Sequence, residues 1–362
     1  MEKQNQYFPQ SRPHPGETLA EKLEEMEMGP KEFALRTGKP EKTIIAIMNG
    51  ESSITPDMAV QFENTTKIPA HFWMNMQRSY DEYIAREKRK STIDEAVSWA
   101  KKFLLPDLIK KGWLPPVSTI QEKTIELLSF FGFAHHAAWE EYYLHQQLKV
   151  AFRISLAHTS DPYAISAWLR MGDLQAAALI AESYVEKKFK DALPAIKSLM
   201  ARHPKDFFQQ LQQLCLKAGV KVVHTPCLSK APINGGTRWI NDTPVIQLTG
   251  RYKRNDIFWF TFFHEAGHIL LHGKKDIFLE AVDYSDKDIE KEKQADAFAI
   301  KWTLSTEEED EILELPRLTE KDIIEFARQF NTHPGIILGR LRHKKLHTYL
   351  RANHFFIPVD LD

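Results

Sequence analysis

The stretch IFWFTFFHEAGHILL, residues 257–271, constrains this chain more than any other. It reads as the body of a helix from about Asn255 to Gly273. Its upstream half, IFWFTFF, is apolar enough to be buried but far short of the ~18 apolar residues that a membrane span needs. Buried histidines must find partners. This helix carries three, His264, His268 and His272, at intervals of four that stack successive rings one turn apart. Ala266 and Gly267 between them are small and permit close packing of a neighbouring chain.

His264, Glu265 and His268 form H-E-x-x-H. On a helix, two imidazoles at that spacing can ligate one zinc ion, and the intervening Glu265 is placed to act as general base. The chemistry needs these types. Neutral imidazoles leave zinc Lewis-acidic, the metal lowers the pKa of water towards ~7, and a carboxylate can carry the proton to a leaving amine. A zinc hydrolase also needs a third protein ligand. His272 lies about 12 Å of rise and about 80° of rotation from His264, a strained reach to a shared ion, so it is expected to line the cleft or pack. The extended H-E-x-x-H-x-x-G-x-x-H pattern is absent, because position 274 is Lys. The favoured third ligand is Glu292 in EKQAD, on a helix read from about Asp286 to Leu304. Asp283, Asp286, Asp288 and Glu290 compete with it. Asp296, four residues on, shares the face of Glu292 and can accept the outer N–H of a ligating histidine. Ala295 lets the two helices approach.

Strand signals appear only late: KVVHTP (221–226), GTRWIN (236–241) and TPVIQLTG (243–250), the last two joined by a hairpin turn at Asn241-Asp242. TPVIQLTG, just before the histidine helix, is the candidate edge strand for pairing with an extended substrate. Tyr252, in RYKR after it, is the candidate for steadying a developing oxyanion. Residues 92–218 read as helices punctuated by Pro and Gly and carry no chemical signature. The tail from Thr319 is again helical.

Upstream, Gly16 to about Ala85 holds five short helices. Leu19, Leu23 and Met26 fall at helical spacing, Gly38 is placed to end the second helix, and Thr55-Pro56 opens the fourth. Two helices meeting around RTGKPEK suit a helix-turn-helix, whose second helix would enter the major groove. Lys39, Glu41, Lys42 and Thr43, with Arg36 behind them, would then face DNA, while Ile44, Ile47 and Met48 pack inward. Residues 1–90 hold 13 Lys and Arg against 14 Asp and Glu, so cations would have to cluster to bind DNA. REKRKST (86–92) is a solvated helix continuation or a linker.

At 362 residues the chain is long for one core. Its two cysteines, Cys215 and Cys227, offer no disulfide framework, and MEKQNQYFPQSRPHPGE lacks the apolar run of a signal peptide. A cytoplasmic protein without a membrane segment is expected.

FFHEAGHILLH and EKQADAFA together resemble the ImmA/IrrE metallopeptidases, which pair H-E-x-x-H with a downstream E-x-x-A-[DN]-x-F-A. HPGIILGRL (333–341) resembles that family's C-terminal helix region, so the resemblance spans about 220–350. It implies zinc held by His264, His268 and Glu292, with Glu265 as the catalytic residue. One departure is visible: the family's segment after the second motif commonly ends L-L-M-P, where this chain reads KWTLS. PGETLAEKLEEMEM, FALRTG and NGESSITPDMAVQFENTT resemble the HigA-like, XRE-type antitoxin and repressor domain over about 14–85.

The expected molecule is multidomain and predominantly α. It has a flexible arm (1–15), an all-α helix-turn-helix domain (16–85), a helical connector or sensor region (86–218) and an α+β zincin-like peptidase domain with a small sheet (219–362). The resemblances imply a DNA-binding regulator, a homodimer on its operator, whose peptidase cleaves a repressor or toxin-system protein. The alternative is a repressor or antitoxin whose zinc domain is structural or sensory.

Overall fold

A computed structural model of the chain describes residues 12–147, 161–273, 278–279, 286–347 and 349–361. Most of the expected arm, part of the expected connector and the competing ligand Asp283 lie outside them. The fold divides into two units, Met1–Glu95 and Ala96–Asp362.

The first unit contains α1 (Pro15–Glu25), α2 (Pro30–Thr37), α3 (Glu41–Met48), α4 (Pro56–Thr66) and the first part of α5 (Ala70–Ala100). REKRKST is helix continuation within α5. The stops and starts follow the sequence. Proline opens α1, α2 and α4, Thr55 Oγ1 accepts the Met58 N–H at the start of α4, and Gly38 leaves α2 at φ +66°. Leu19, Leu23, Phe33, Ile44, Ile47 and Phe62 close one core around Trp73. Gly16 lets α1 meet α3 at the backbone: a Cβ there would fall on the Ile47 carbonyl.

The second unit continues with α6 (Leu105–Lys110), α7 (Ile120–Phe131), α8 (His136–Trp139), a π-helical stretch (Glu140–Gln147), α9 (Pro162–Ala177), α10 (Glu186–Arg202) and α11 (Phe207–Lys217). The sheet follows: β1 (Lys221–His224), β2 (Gly235–Ile240) and β3 (Thr243–Leu248), with β4 (Phe278–Leu279) after α12 (Asn255–Leu271). The chain then forms α13 (Asp286–Thr303), α14 (Thr306–Leu313), α15 (Glu320–Gln329) and α16 (Pro334–His343). The strand order is β1-β3-β2-β4. β2 and β3 form the expected hairpin, closing at Ile240 and Thr243 with Asn241 at φ +55°.

One expectation is overturned. TPVIQLTG is not an edge strand: β3 pairs parallel with β1 on one side and antiparallel with β2 on the other, so its backbone groups are already used.

The two faces of the sheet carry different chemistry, as the period of two along β2 requires. Arg238 faces α9, where its guanidinium binds Asp173 Oδ1 and the Leu169 carbonyl, and Gln247 donates to the Trp168 carbonyl. Gly172 makes room for this network, since a Cβ there would overlap the Gln247 amide. Thr237 faces α12 and donates to the Glu265 carbonyl at 3.1 Å. The helices from the expected connector therefore build this unit: α9 covers one sheet face, and α10 and α11 join α12 and the later helices in its main core.

Candidate metal centre

The site is set by one helix pair. α12 is buried almost throughout, and His264, Glu265 and His268 are each at most 2% exposed. α13 approaches it closely because both surfaces are small: a Cβ on Gly267 would lie 3.2 Å from Ala295 Cα and 3.1 Å from Phe298 Cβ. The contacts run antiparallel, His264 meeting Asp296 while His268 meets Glu292.

Three donor groups converge. His264 Nε2 lies 3.0 Å from His268 Nε2 and 3.1 Å from Glu292 Oε2, and His268 Nε2 lies 3.4 Å from Glu292 Oε1. Among the described residues, this is the group of His, Cys, Asp and Glu able to hold a metal ion. Tetrahedral zinc with bonds of about 2.0–2.1 Å separates its ligand atoms by about 3.3 Å, and each of these separations is close to that.

The protonation pattern fits as well. Burial pushes His268 down to about 4, so its ring is neutral near pH 7. His272 Nε2 faces Gln294 Oε1 at 3.2 Å, and His272 Nδ1 faces His268 Nδ1 at 2.9 Å. With Nε2–H donating to the amide oxygen, the neutral His272 ring accepts at Nδ1. His268 then donates from Nδ1 and turns its Nε2 lone pair to the centre. His264 Nδ1 likewise faces Asp296 Oδ1 at 2.9 Å, which leaves its Nε2 lone pair inward. Two lone pairs and a carboxylate aimed at one point make an acceptor set that a cation satisfies.

His272 is therefore buried behind His268, on the outer nitrogen rather than in the triangle. Tyr252 is half-exposed and lines a neighbouring cavity. Sequence reasoning missed what lies across that cavity from α12: Arg340 and Arg342 of α16. Only HPGIILGRL, read as a helix, pointed there.

At the helix-turn-helix, Ile44 and Ile47 face inward as expected, and Glu41 and Lys42 are exposed. Thr43 is half-buried and Ile45 points outward. Arg36 is paired with Glu32, and Lys39 with Asp57. Of Arg36, Lys39 and Lys42, Lys42 is the one that makes no ion pair among the described residues.

Residues 215–342 match the Peptidase_M78 family, the IrrE N-terminal-like domain. The chain is 26% identical over 70 residues to the uncharacterized HTH-type transcriptional regulator YddM of Escherichia coli (strain K12), covering 19% of this chain and 74% of the relative. Two solved structures are also similar. An addiction module antidote protein of the HigA family from Coxiella burnetii is 36% identical, with 24% of this chain and 95% of that one covered and a TM-score of 0.22. The antitoxin HigA of Pseudomonas aeruginosa, solved with the higBA promoter, is 29% identical, with 24% and 94% covered and a TM-score of 0.23.

Proposed function

We propose, for a chain that carries an IrrE N-terminal-like domain over residues 215–342 and a helix-turn-helix regulator homologue before it, that it is a cytoplasmic, DNA-binding regulator with a zinc-dependent endopeptidase. The substrate class is a protein, such as a repressor or toxin-system component. The observation that carries the reading is the triangle of His264, His268 and Glu292, with Glu265 one residue from its first corner.

His264, His268 and Glu292 would hold the metal. Zinc, when bound there, supplies Lewis acidity and lowers the pKa of water towards ~7. Glu265 takes the proton of the attacking water and delivers it to the leaving amine. Asp296 and His272 fix the tautomers of His264 and His268 by holding their outer nitrogens. In the first unit, α3 would lie in the major groove with Glu41, Lys42 and Thr43 towards the bases, Arg36 and Lys39 beside them, and a homodimer would read two half-sites. Among the described residues no helix is long and apolar enough to cross a membrane.

The test is zinc per chain in wild type and Glu292→Ala, purified without a His-tag or chelator, followed by a search for a cleaved partner with Glu265→Ala as the blank. About one zinc in wild type, lost in Glu292→Ala, and a cleavage absent from the blank support the reading. No zinc after zinc is supplied sinks it.

A further inference from the structure

A cavity of about 630 Å³ lies directly upstream of the metal triangle, within the range typical of ligand pockets. Its α12 wall is Asp256, Ile257, Phe260 and Thr261, and the last three continue at helical spacing into His264, Glu265 and His268. Pocket and triangle thus share one stripe of one helix, about one 5.4 Å turn apart. The link is also physical. The Phe260 ring lies 6.5 Å from the His264 ring, and a Cβ on Gly235 would lie 2.6 Å from Thr261 Cγ2 and 3.0 Å from Glu265 Oε1. An extended chain with a peptide bond at Glu265 would place a neighbouring side chain in this cavity.

The opposite wall is cationic. Of three lining arginines, two are occupied. Arg254 is bound through two nitrogens to Asp256, at 3.0 and 2.6 Å, and Arg342 donates to Asn353 Oδ1 at 2.6 Å. Arg340 is half-buried, lies 5.9 Å from the Phe260 ring, and makes no hydrogen bond or ion pair with any described residue through its side chain. The two acids whose charge acts on it each hold a closer partner, Glu309 with Lys344 and Asp296 with His264. Asp256, the one carboxylate lining the cavity among the described residues, is paired with Arg254. A half-buried guanidinium with no hydrogen-bond or ion-pair partner among the described residues is costly, and a carboxylate is the group its planar fork matches. Ile257, Phe260 and Ile336 supply apolar wall for an aliphatic stem.

We propose that this cavity is a subsite for an acidic side chain of the substrate, and that Arg340 is the residue that selects it. The proposal rests on the peptidase reading above and names its substrate class: a peptide with Glu or Asp beside the cleaved bond.

The test uses the full chain, zinc-loaded, as the Glu265→Gln variant. Calorimetry measures binding of acetyl-Ala-Ala-Glu-Ala-Ala-amide and of its Gln and Lys counterparts. The Glu peptide is expected to bind at least about tenfold tighter than the Gln peptide and the Lys peptide weakest, as a charge-assisted pair in a partly buried site requires. Arg340→Gln should reduce the Glu/Gln ratio to within about twofold, with zinc content and circular dichroism unchanged, and Arg340→Lys should keep part of it. Equal binding of the Glu and Gln peptides, no binding of any, or a ratio that survives Arg340→Gln overturns the proposal. Should Arg340→Gln not fold, cleavage of a random peptide library by wild type decides it: cleavage with no acidic preference at any subsite overturns the subsite and leaves the peptidase standing. Arg340-dependent binding of the Glu peptide by a chain that cleaves no peptide sinks the peptidase reading and keeps the acidic-ligand site.

Discussion

Acid should unfold the second unit through two histidines away from the metal triangle. His203 accepts the Trp259 indole N–H at 3.0 Å, and His333 accepts from Asn255 and from the Gly335 amide, each at 3.0 Å. Burial pushes each ring down to about 4 from 6.5, helped for His203 by repulsion from His333. A folded pKa below the unfolded one means that the unfolded chain binds more protons between those values. The stabilisation is complete above pH 6.5 and is lost as pH falls towards 4. Near pH 5.5 each residue contributes about 0.9 proton to the difference, so the pair gives a slope of about 2.4 kcal/mol per pH unit. Between about pH 6.5 and 4.5 the loss sums to about 4 kcal/mol, a large part of the ~5–15 kcal/mol that holds a domain together. Urea denaturation at half-unit pH steps measures it. His203→Gln keeps an acceptor for Trp259 but does not titrate, so it should lower the slope near pH 5.5 by about 1.2 kcal/mol per pH unit relative to its parent, whatever its stability at pH 7.5. A variant with the parent's full slope would refute the reasoning, because the protons would then be taken up elsewhere.

Four further outcomes are expected. Asp296→Ala leaves His264 Nδ1 without its carboxylate and should weaken zinc binding about 10–100-fold in a chelator competition, and His272→Phe should do the same through His268. Gly267→Val forces α12 away from the Ala295 backbone and should destabilise by about 1–3 kcal/mol on urea melts, with substoichiometric zinc in the folded protein. Removing the metal with a chelator should lower the melting temperature, by an amount equivalent to about 2.7 kcal/mol for zinc held at 100 times its Kd. Lys42→Ala should weaken binding to operator and random duplex alike and reduce the salt slope of log K by about 0.9, whereas Arg36→Ala, already paired with Glu32, should change it less.

What the sequence disclosed depended on how far apart the cooperating residues lie in the chain. Glu292 and Asp296 were legible because a four-residue interval on one helix faces a four-residue interval on its neighbour, and Gly267 and Ala295 mark where the two touch. The helix-turn-helix was legible from local punctuation: Pro30, Gly38, Pro40 and Thr55-Pro56 each act within a few residues. His272 was weighed by whether its ring reaches the ion that His264 would hold. The structure uses its nearness to the other ring nitrogen of His268, a relation that helical reach does not reveal. β3 was taken for an edge because it lies just before the histidine helix. Its parallel pairing with β1 crosses more than twenty residues and has no local signal. Arg238 was passed over as a strand residue, since its partners Asp173 and Leu169 come from a helix read as connector. The stripe on α12 was read only from His264 onward. Its upstream turn, Ile257, Phe260 and Thr261, looked like core because it is apolar, yet these residues also line a cavity whose far wall is α16. A buried helix beside a reaction centre must both pack and leave room for substrate, and the side chains that do the second are chemically indistinguishable from those that do the first until the opposing element is in place.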